Sequence, residues 1–434
     1  MHAWVISGIF IAVFVCIYIA WADRLVAVTC GAIMMLLYGW LFDFYSVQEA
    51  VDSVSFETLG LLLSMSMIAA VLERAGFFIY VGNKVVSHAQ GQLLWVLIIM
   101  TLATYVISSF MNNLAAMMVM VPMGLSLCLT MKVNPAPLLM LQLVASNLGG
   151  ASSMVGDFPN MIIASAGELQ LFDFVGGMMA PSLVLLAVTL VVAQRKLPLS
   201  SWRNRATNVD RLLQLHESAQ IDLPLIKVGL WIVVSVVVGF LLVDLLDVRP
   251  VWIAMIGAFY AAMIVKPWQH DWFRILALYD VLFFFFLFMM VGGLVSVGIL
   301  DHLVMALQTM GMGIAGQLIL FMVMAALVTL FLNAGPATAF FIPVAVVLSS
   351  TLSTEYVWWA LSLGVLAGSS ATITGATAGP ITLSYYERFM EKHPEMANLV
   401  QGEMKFGFYE YLSWGLPLMA IFLAFSSLYI LMSV

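Results

Sequence analysis

The chain has 434 residues, 63% of them hydrophobic and 9% charged, with a formal net charge of −7 and a mean hydropathy of +1.07. Soluble domains carry about 25% charged residues, so this is a polytopic membrane protein, and length is no guide to its domain count. No basic stripe or recognised module supports binding to nucleic acid. Cys16, Cys30 and Cys128 lie in apolar runs at no metal-ligand spacing and read as small packing residues. The six histidines fall at span ends or in loops, which argues against a haem or metal centre inside the bundle, and no cofactor is expected.

A span needs about 20 apolar residues. The pattern predicts spans at 4–21, 25–42, 57–83, 173–194, 225–245, 251–266, 279–300 and 410–433. With no basic residue ahead of it, 4–21 reads as a true span and not a cleaved signal. Regions 136–168 and 356–388 are too long and too interrupted for one helix, and each reads as a crossing broken in the middle. Regions 93–131 and 314–352 are each an apolar run, a polar interruption (Asn112-Asn113, Asn333-Ala334-Gly335-Pro336) and a second apolar run. Each is either two full spans joined by a tight turn or a re-entrant hairpin whose tip stops at the midplane. Residues 195–224 form the one substantial polar segment and read as a linker between halves 1–194 and 225–434.

The halves match. Asn112 and Asn333, Pro122 and Pro343, and Pro159 and Pro380 are each 221 positions apart. Paired interrupted segments in two halves are a sequence pointer to a transporter's binding site. With the hairpins re-entrant, each half has five crossings, so the second half is inverted. Placing the 195–224 linker in the cytoplasm puts 14 of the 16 Lys and Arg on that side, leaving only Arg74 and Arg249. That agrees with the positive-inside rule. The expected fold is an all-α polytopic membrane protein of two inverted five-crossing repeats, each with a re-entrant hairpin and a broken helix.

The stretch Ala145–Asn160 holds three glycines, three serines, two asparagines, Asp157 and Pro159 in apolar flanks. Such backbone is tolerated at membrane depth only where protein buries it or it lines a cavity. The hairpin tips and broken helices would bring together Asn112, Asn113, Ser146, Asn147, Ser153 and Asp157 with Asn333, Thr338, Ser369, Ser370, Thr372 and Thr374. Half-helix N-termini suit an anion, while unwound carbonyls and Asn, Ser and Thr oxygens suit a hard cation. A coupling Na⁺ would fit at Asn113, Asn147 and Asn333. Each hydroxyl has helix packing as its simpler role. Asp157 either binds a cation, carries a proton or caps the half-helix that Pro159 opens. Asp280 reads as a helix-end residue. There is no H-E-x-x-H motif, and the serines lack a neighbouring histidine or lysine, so an enzyme is not expected.

These residues carry a family resemblance. Phe56-Glu57-Thr58-Leu59, Val71 to Phe78, Phe110-Met111-Asn112-Asn113 and above all Ser146-Asn147 through Gly149-Gly150 to Gly156-Asp157-Phe158-Pro159-Asn160 resemble the ion transporter superfamily. That group holds arsenite efflux permeases, citrate–metal transporters, the melanosomal P protein, NhaD-type antiporters and divalent anion/sodium symporters. The resemblance implies inverted repeats, a homodimer, elevator motion, and binding residues at Asn112, Asn113, Ser146, Asn147, Gly149, Gly150 and Asp157. By symmetry it implies Asn333, Ser369, Ser370 and Thr372 as well. The tips depart from the Ser-Asn-Thr of the symporter branch, and Asn112 stands where many arsenite-type members have Asp. The expected function is secondary active transport of a small anion or oxyanion, coupled to H⁺ or Na⁺, across a bacterial inner membrane. A Na⁺/H⁺ antiporter is the alternative and a passive anion channel a third reading.

Overall fold

The structure is a computed structural model that describes residues 2–19, 21–77, 80–81, 84, 92–203, 221–243, 248–266, 277–396 and 404–434. Arg205, Arg211 and most of the 195–224 linker lie outside the described residues, as do Arg274 and much of 75–83.

The first half contains α1 (His2–Tyr18), α2 (Arg24–Leu41), α3 (Val47–Asp52), α4 (Phe56–Arg74), α5 (Leu93–Phe110), α6 (Asn113–Met131), α7 (Ala136–Ala151), α8 (Phe158–Gly167) and α9 (Leu171–Lys196). The second contains α10 (Leu223–Leu241), α11 (Pro250–Val265), α12 (Leu278–Ser296), α13 (Ile299–Thr309), α14 (Ile314–Leu332), α15 (Ala334–Leu352), α16 (Tyr356–Ser369), α17 (Gly379–Lys392) and α18 (Phe408–Ser433). Ten described helices are long and apolar enough to cross a membrane.

Local chemistry sets the boundaries. Asp23, Ser55, Asn112, Asp157 and Asp222 each accept a backbone N–H of the helix that follows, filling donors that a helix start leaves unpaired. The expected span 57–83 instead ends as a helix at Arg74, because Ala75 caps it and Gly76 takes a positive φ of 73°. The expected span 279–300 likewise stops at Ser296. Gly298, at φ 71°, turns the chain into the separate helix α13, which the apolar pattern did not reveal. The short α3 was also unforeseen, although Ser46 and Glu49 form its capping box.

The repeat is visible in the packing. α6 and α15 coincide when shifted by 221, and so do the starts of α1 and α10, α5 and α14, and α8 and α17. Contacts are exchanged in the same way. α5 packs on α7 as α14 packs on α16; α4 on α11 as α12 on α2; α8 on α15 as α17 on α6. Two groups result, an inner one of α5–α8 with α14–α17 and an outer one around α2, α4, α11 and α12. The innermost elements are α7, buried along its whole length, and α16, buried from Val357 to Ser369.

Glycine sets how closely these helices approach. A Cβ on Gly149 would collide with the carbonyl of Tyr105, and one on Gly368 with that of Ala326. Small residues are the usual means of close helix packing in membranes, where lipid supplies no hydrophobic drive. Tyr105 and Ala326 are 221 apart, but Gly149 and Gly368 are 219 apart. The second break therefore contains two more residues than the first.

Candidate functional site

Each broken crossing parts where its sequence turns polar. α7 ends at Ala151, and α8 begins after Asp157, whose backbone is extended (φ −144°, ψ 152°) and whose Oδ1 accepts the Phe158 N–H at 2.8 Å. The hairpin tips lie against these breaks. Ser153 Oγ donates to the Ser109 carbonyl at 2.5 Å and accepts the Gly156 N–H at 3.1 Å. In the second half Thr372 Oγ1 donates to the Leu330 carbonyl at 3.0 Å and accepts the Gly375 N–H at 2.8 Å. Ser109 and Leu330 are again 221 apart. One hydroxyl in each half thus fastens a hairpin to its break.

This contact decides the nature of the hairpins. α5 and α6 are long enough to cross by length alone, yet their tip meets the α7–α8 break, and α8 continues for about 15 Å at 1.5 Å per residue. The hairpin is re-entrant.

Both tips open on one cavity of about 390 Å³. The hairpins contribute Asn112, Leu114, Asn333, Gly335 and Pro336, and the second break Thr374 and Thr377. The post-break helices contribute Phe158, Pro380 and Ile381. Four helix N-termini therefore border the same space: α6, α8, α15 and α17. The first two are capped, by Asn112 and Asp157, whereas α15 and α17 have no side-chain cap. Phe158 stacks on Phe284 of α12, where the inner group meets the outer.

Of the residues singled out in the sequence, Asn112, Asn333 and Thr374 line this cavity. The others lie behind it and hold the inner group together. Asn113 Nδ2 donates to Asp157 Oδ2 at 2.9 Å. Asn147 Nδ2 donates to the Ser369 carbonyl at 3.1 Å, joining the halves. Ser146, Ser369, Ser370 and Thr338 return their hydroxyls to carbonyls of their own helices. Gly149 and Gly150 are packing positions. Asn113 Oδ1 and Asn147 Oδ1 remain buried without a hydrogen-bond partner, and unpaired buried carbonyl oxygens of this kind suit a cation.

Asn333 is strained. Its φ of 74° and ψ of 155° fall in a region that is essentially glycine's. The conformation is held by Nδ2, which donates to the carbonyls of Thr374 and Ala376 at 3.2 Å each, and by the Ala334 N–H to Gly375 O bond at 3.1 Å.

Two lining residues escaped the sequence reading. Asp280 is no plain helix-end residue: its Oδ1 lies 2.5 Å from Arg24 Nη2, and both face the cavity. Beside them Tyr279 Oη donates to Asp23 Oδ1 at 2.6 Å. That hydroxyl, with the Leu25 and Val26 amides, holds the Asp23 carboxyl below its ordinary range. The available signal was an acid in an apolar segment, but its partner is 256 residues away.

Comparison with known proteins places this geometry. A family model described as a citrate transporter matches residues 14–364. The chain is 41% identical to the magnetosome protein MamN of Magnetospirillum gryphiswaldense, covering 99% of both chains. It is 30% identical to an uncharacterised transporter of Mycobacterium tuberculosis strain H37Rv, covering 84% of this chain and 86% of that one. The fold is similar to the crystal structure of the Alcanivorax borkumensis YdaH transporter, with a TM-score of 0.58 at 14% identity over 90% of this chain and 88% of that one.

Proposed function

The chain belongs to the citrate transporter family, a family of membrane transporters and not enzymes, and from this we propose that it is a secondary active transporter of a small anion or oxyanion. The observation that carries the anion is the meeting of four helix N-termini at one cavity. Each N-terminus presents about half a positive charge, worth about 0.3–1 kcal/mol to a nearby anion. The starts of α15 and α17 carry no capping side chain. Their first N–H groups, of Ala334 and Gly379, meet the Gly375 and Ala376 carbonyls, and Pro336 and Pro380 have none, so it is the dipole of these helices that favours an anion.

The coupling ion is H⁺ or Na⁺. Asn113 and Asn147, with their unpartnered oxygens, would hold Na⁺, joined by Asn333 at the second tip; Asp157 would carry a proton. The separation into inner and outer packing groups supports elevator-type motion, with the hairpins and broken crossings moving against α2, α4, α11 and α12. The working unit is a homodimer in a bacterial inner membrane, with the 195–224 segment cytoplasmic, as its basic residues favour. A Na⁺/H⁺ antiporter is the second reading, favoured by the unpartnered amide oxygen of Asn113 beside Asp157.

Proteoliposomes with an imposed Na⁺ or pH gradient separate the two readings. Citrate, succinate, sulfate and arsenite would be offered one at a time, with internal pH read by a dye. Movement of an anion along one gradient supports the proposal and names the coupling ion. Na⁺-driven proton movement with no anion present would replace it with the antiporter.

A further inference from the structure

We propose that Arg24 and Arg249 recruit the anion at the two mouths of the transport path, each masked by a carboxylate, Asp280 or Glu57, that the arriving anion displaces. This rests on the anion reading above.

Arg24 and Asp280 are the only charged side chains among the described residues lining the central cavity. The Arg24 side chain is 43% exposed and that of Asp280 only 17%, so the guanidinium has donors to spare beyond the pair. Tyr279 and Phe283 lie 4.9 and 5.4 Å from it and steady its plane. A guanidinium fork binds carboxylates and oxyanions alike. The Asp280 carboxylate therefore occupies Arg24 as a substrate carboxylate would.

The arrangement occurs twice. Arg249 Nη1 lies 3.7 Å from Glu57 Oε2, with side-chain exposures of 75% and 22%. Both line a second cavity of about 630 Å³, together with Ser165, Glu168 and Gln170. Arg24 opens α2, and Arg249 is the residue before α11; Asp280 and Glu57 stand in the first turns of α12 and α4. α2 packs on α12 as α11 packs on α4, so the two pairs stand at the starts of corresponding helices, though not at positions 221 apart. In inverted repeats the two pairs lie at opposite faces of the membrane. A partly exposed ion pair adds little to stability, which leaves a role in stability a weak reason for building it twice. Masking keeps an empty carrier from presenting a bare cation at either mouth.

The test uses the full chain in proteoliposomes, with citrate and sulfate as probes and KM measured from each face. Arg24→Ala is expected to raise KM roughly tenfold at one face, as loss of one charge-assisted contact does, and Arg249→Ala to do so at the other. Asp280→Asn and Glu57→Gln are expected to lower KM at the corresponding faces, because the competing carboxylate is gone. A purely structural pair gives a different result: either partner's loss lowers thermal stability, and KM stays put. Unmoved KM, or shifts of the same sign for Arg24→Ala and Asp280→Asn, overturn this inference while leaving the anion reading intact. If the wild-type protein moves none of citrate, succinate, sulfate and arsenite, the anion reading fails and takes this inference with it. Should Arg24→Ala not accumulate, Asp280→Asn carries the test, since a loss of folded carrier lowers the maximal flux and leaves KM unchanged.

Discussion

Replacing Asp157 separates its role as a cap from its role as a charge. Oδ1 accepts from the Phe158 N–H at 2.8 Å and Oδ2 from Asn113 Nδ2 at 2.9 Å. Asparagine caps helices about as well as aspartate, so Asp157→Asn keeps the first bond. Its amide nitrogen then faces Asn113, which must turn over and offer Oδ1. That turn exchanges one bond for another, with Nδ2 replacing Oδ1 as the unpartnered atom of Asn113. Asp157→Asn should therefore cost less than about 1 kcal/mol. Asp157→Ala loses the cap, about 0.5–2 kcal/mol, and a bond to a charged group, about 1.5–3 kcal/mol, or about 2–5 kcal/mol together. Thermal melting of the purified protein in detergent gives the order of stabilities, and proteoliposome flux gives function. If Asp157 carries the coupling ion, Asp157→Asn melts near the wild type and transports poorly. Full transport in that variant would leave Asp157 as a cap only, and a melt as low as that of Asp157→Ala would refute the hydrogen-bond argument.

Three further variants probe the frame of the site. Asn333→Gly exchanges two amide bonds for relief of about 1–3 kcal/mol of backbone strain, whereas Asn333→Ala loses the bonds and keeps the strain. The glycine variant should melt higher, and equal melts would refute the strain. Gly149→Ala and Gly368→Ala press a methyl into a facing backbone carbonyl and should each cost about 1–3 kcal/mol; an unchanged melting temperature would contradict the close approach. Tyr279→Phe removes the hydroxyl that chiefly depresses the Asp23 carboxyl. A depressed carboxyl stabilises above its unfolded pKa and loses that contribution as the pH falls through its folded value. The stability gap between wild type and Tyr279→Phe should thus be full at neutral pH and close below the ordinary value of 3.8; a gap that persists in acid would contradict the assignment.

What could be read from the sequence followed from solvation. Backbone rich in glycine, serine and asparagine cannot face lipid, so the stretch before Pro159 and its counterpart before Pro380 had to be interior breaks. Asn112, Asn333 and Thr374 proved to line the cavity for the same reason. Sequence reasoning could not tell a polar side chain aimed into the cavity from one aimed at a neighbouring backbone. Ser146, Ser153, Ser369, Ser370 and Thr372 all spend their hydroxyls on carbonyls, as packing in a medium without water demands. Nor could it join Arg24 to Asp280, because that pairing exists only through the packing of α2 on α12. Helix stops were illegible where the apolar run continues past the turn, as at Gly298.

The two extra residues in the second break have a thermodynamic meaning. A carrier with identical inverted halves would possess two resting shapes that are mirror exchanges of one another, and so of equal energy. Any preference of the empty protein for one side must then arise from the places where the halves disagree. The clearest are at the breaks: a carboxylate starts α8 where Ala378 starts α17, and the loop before α17 is longer. Exchanging the two residues at these starts, neither of which lines the cavity, would shift the balance between inward and outward populations.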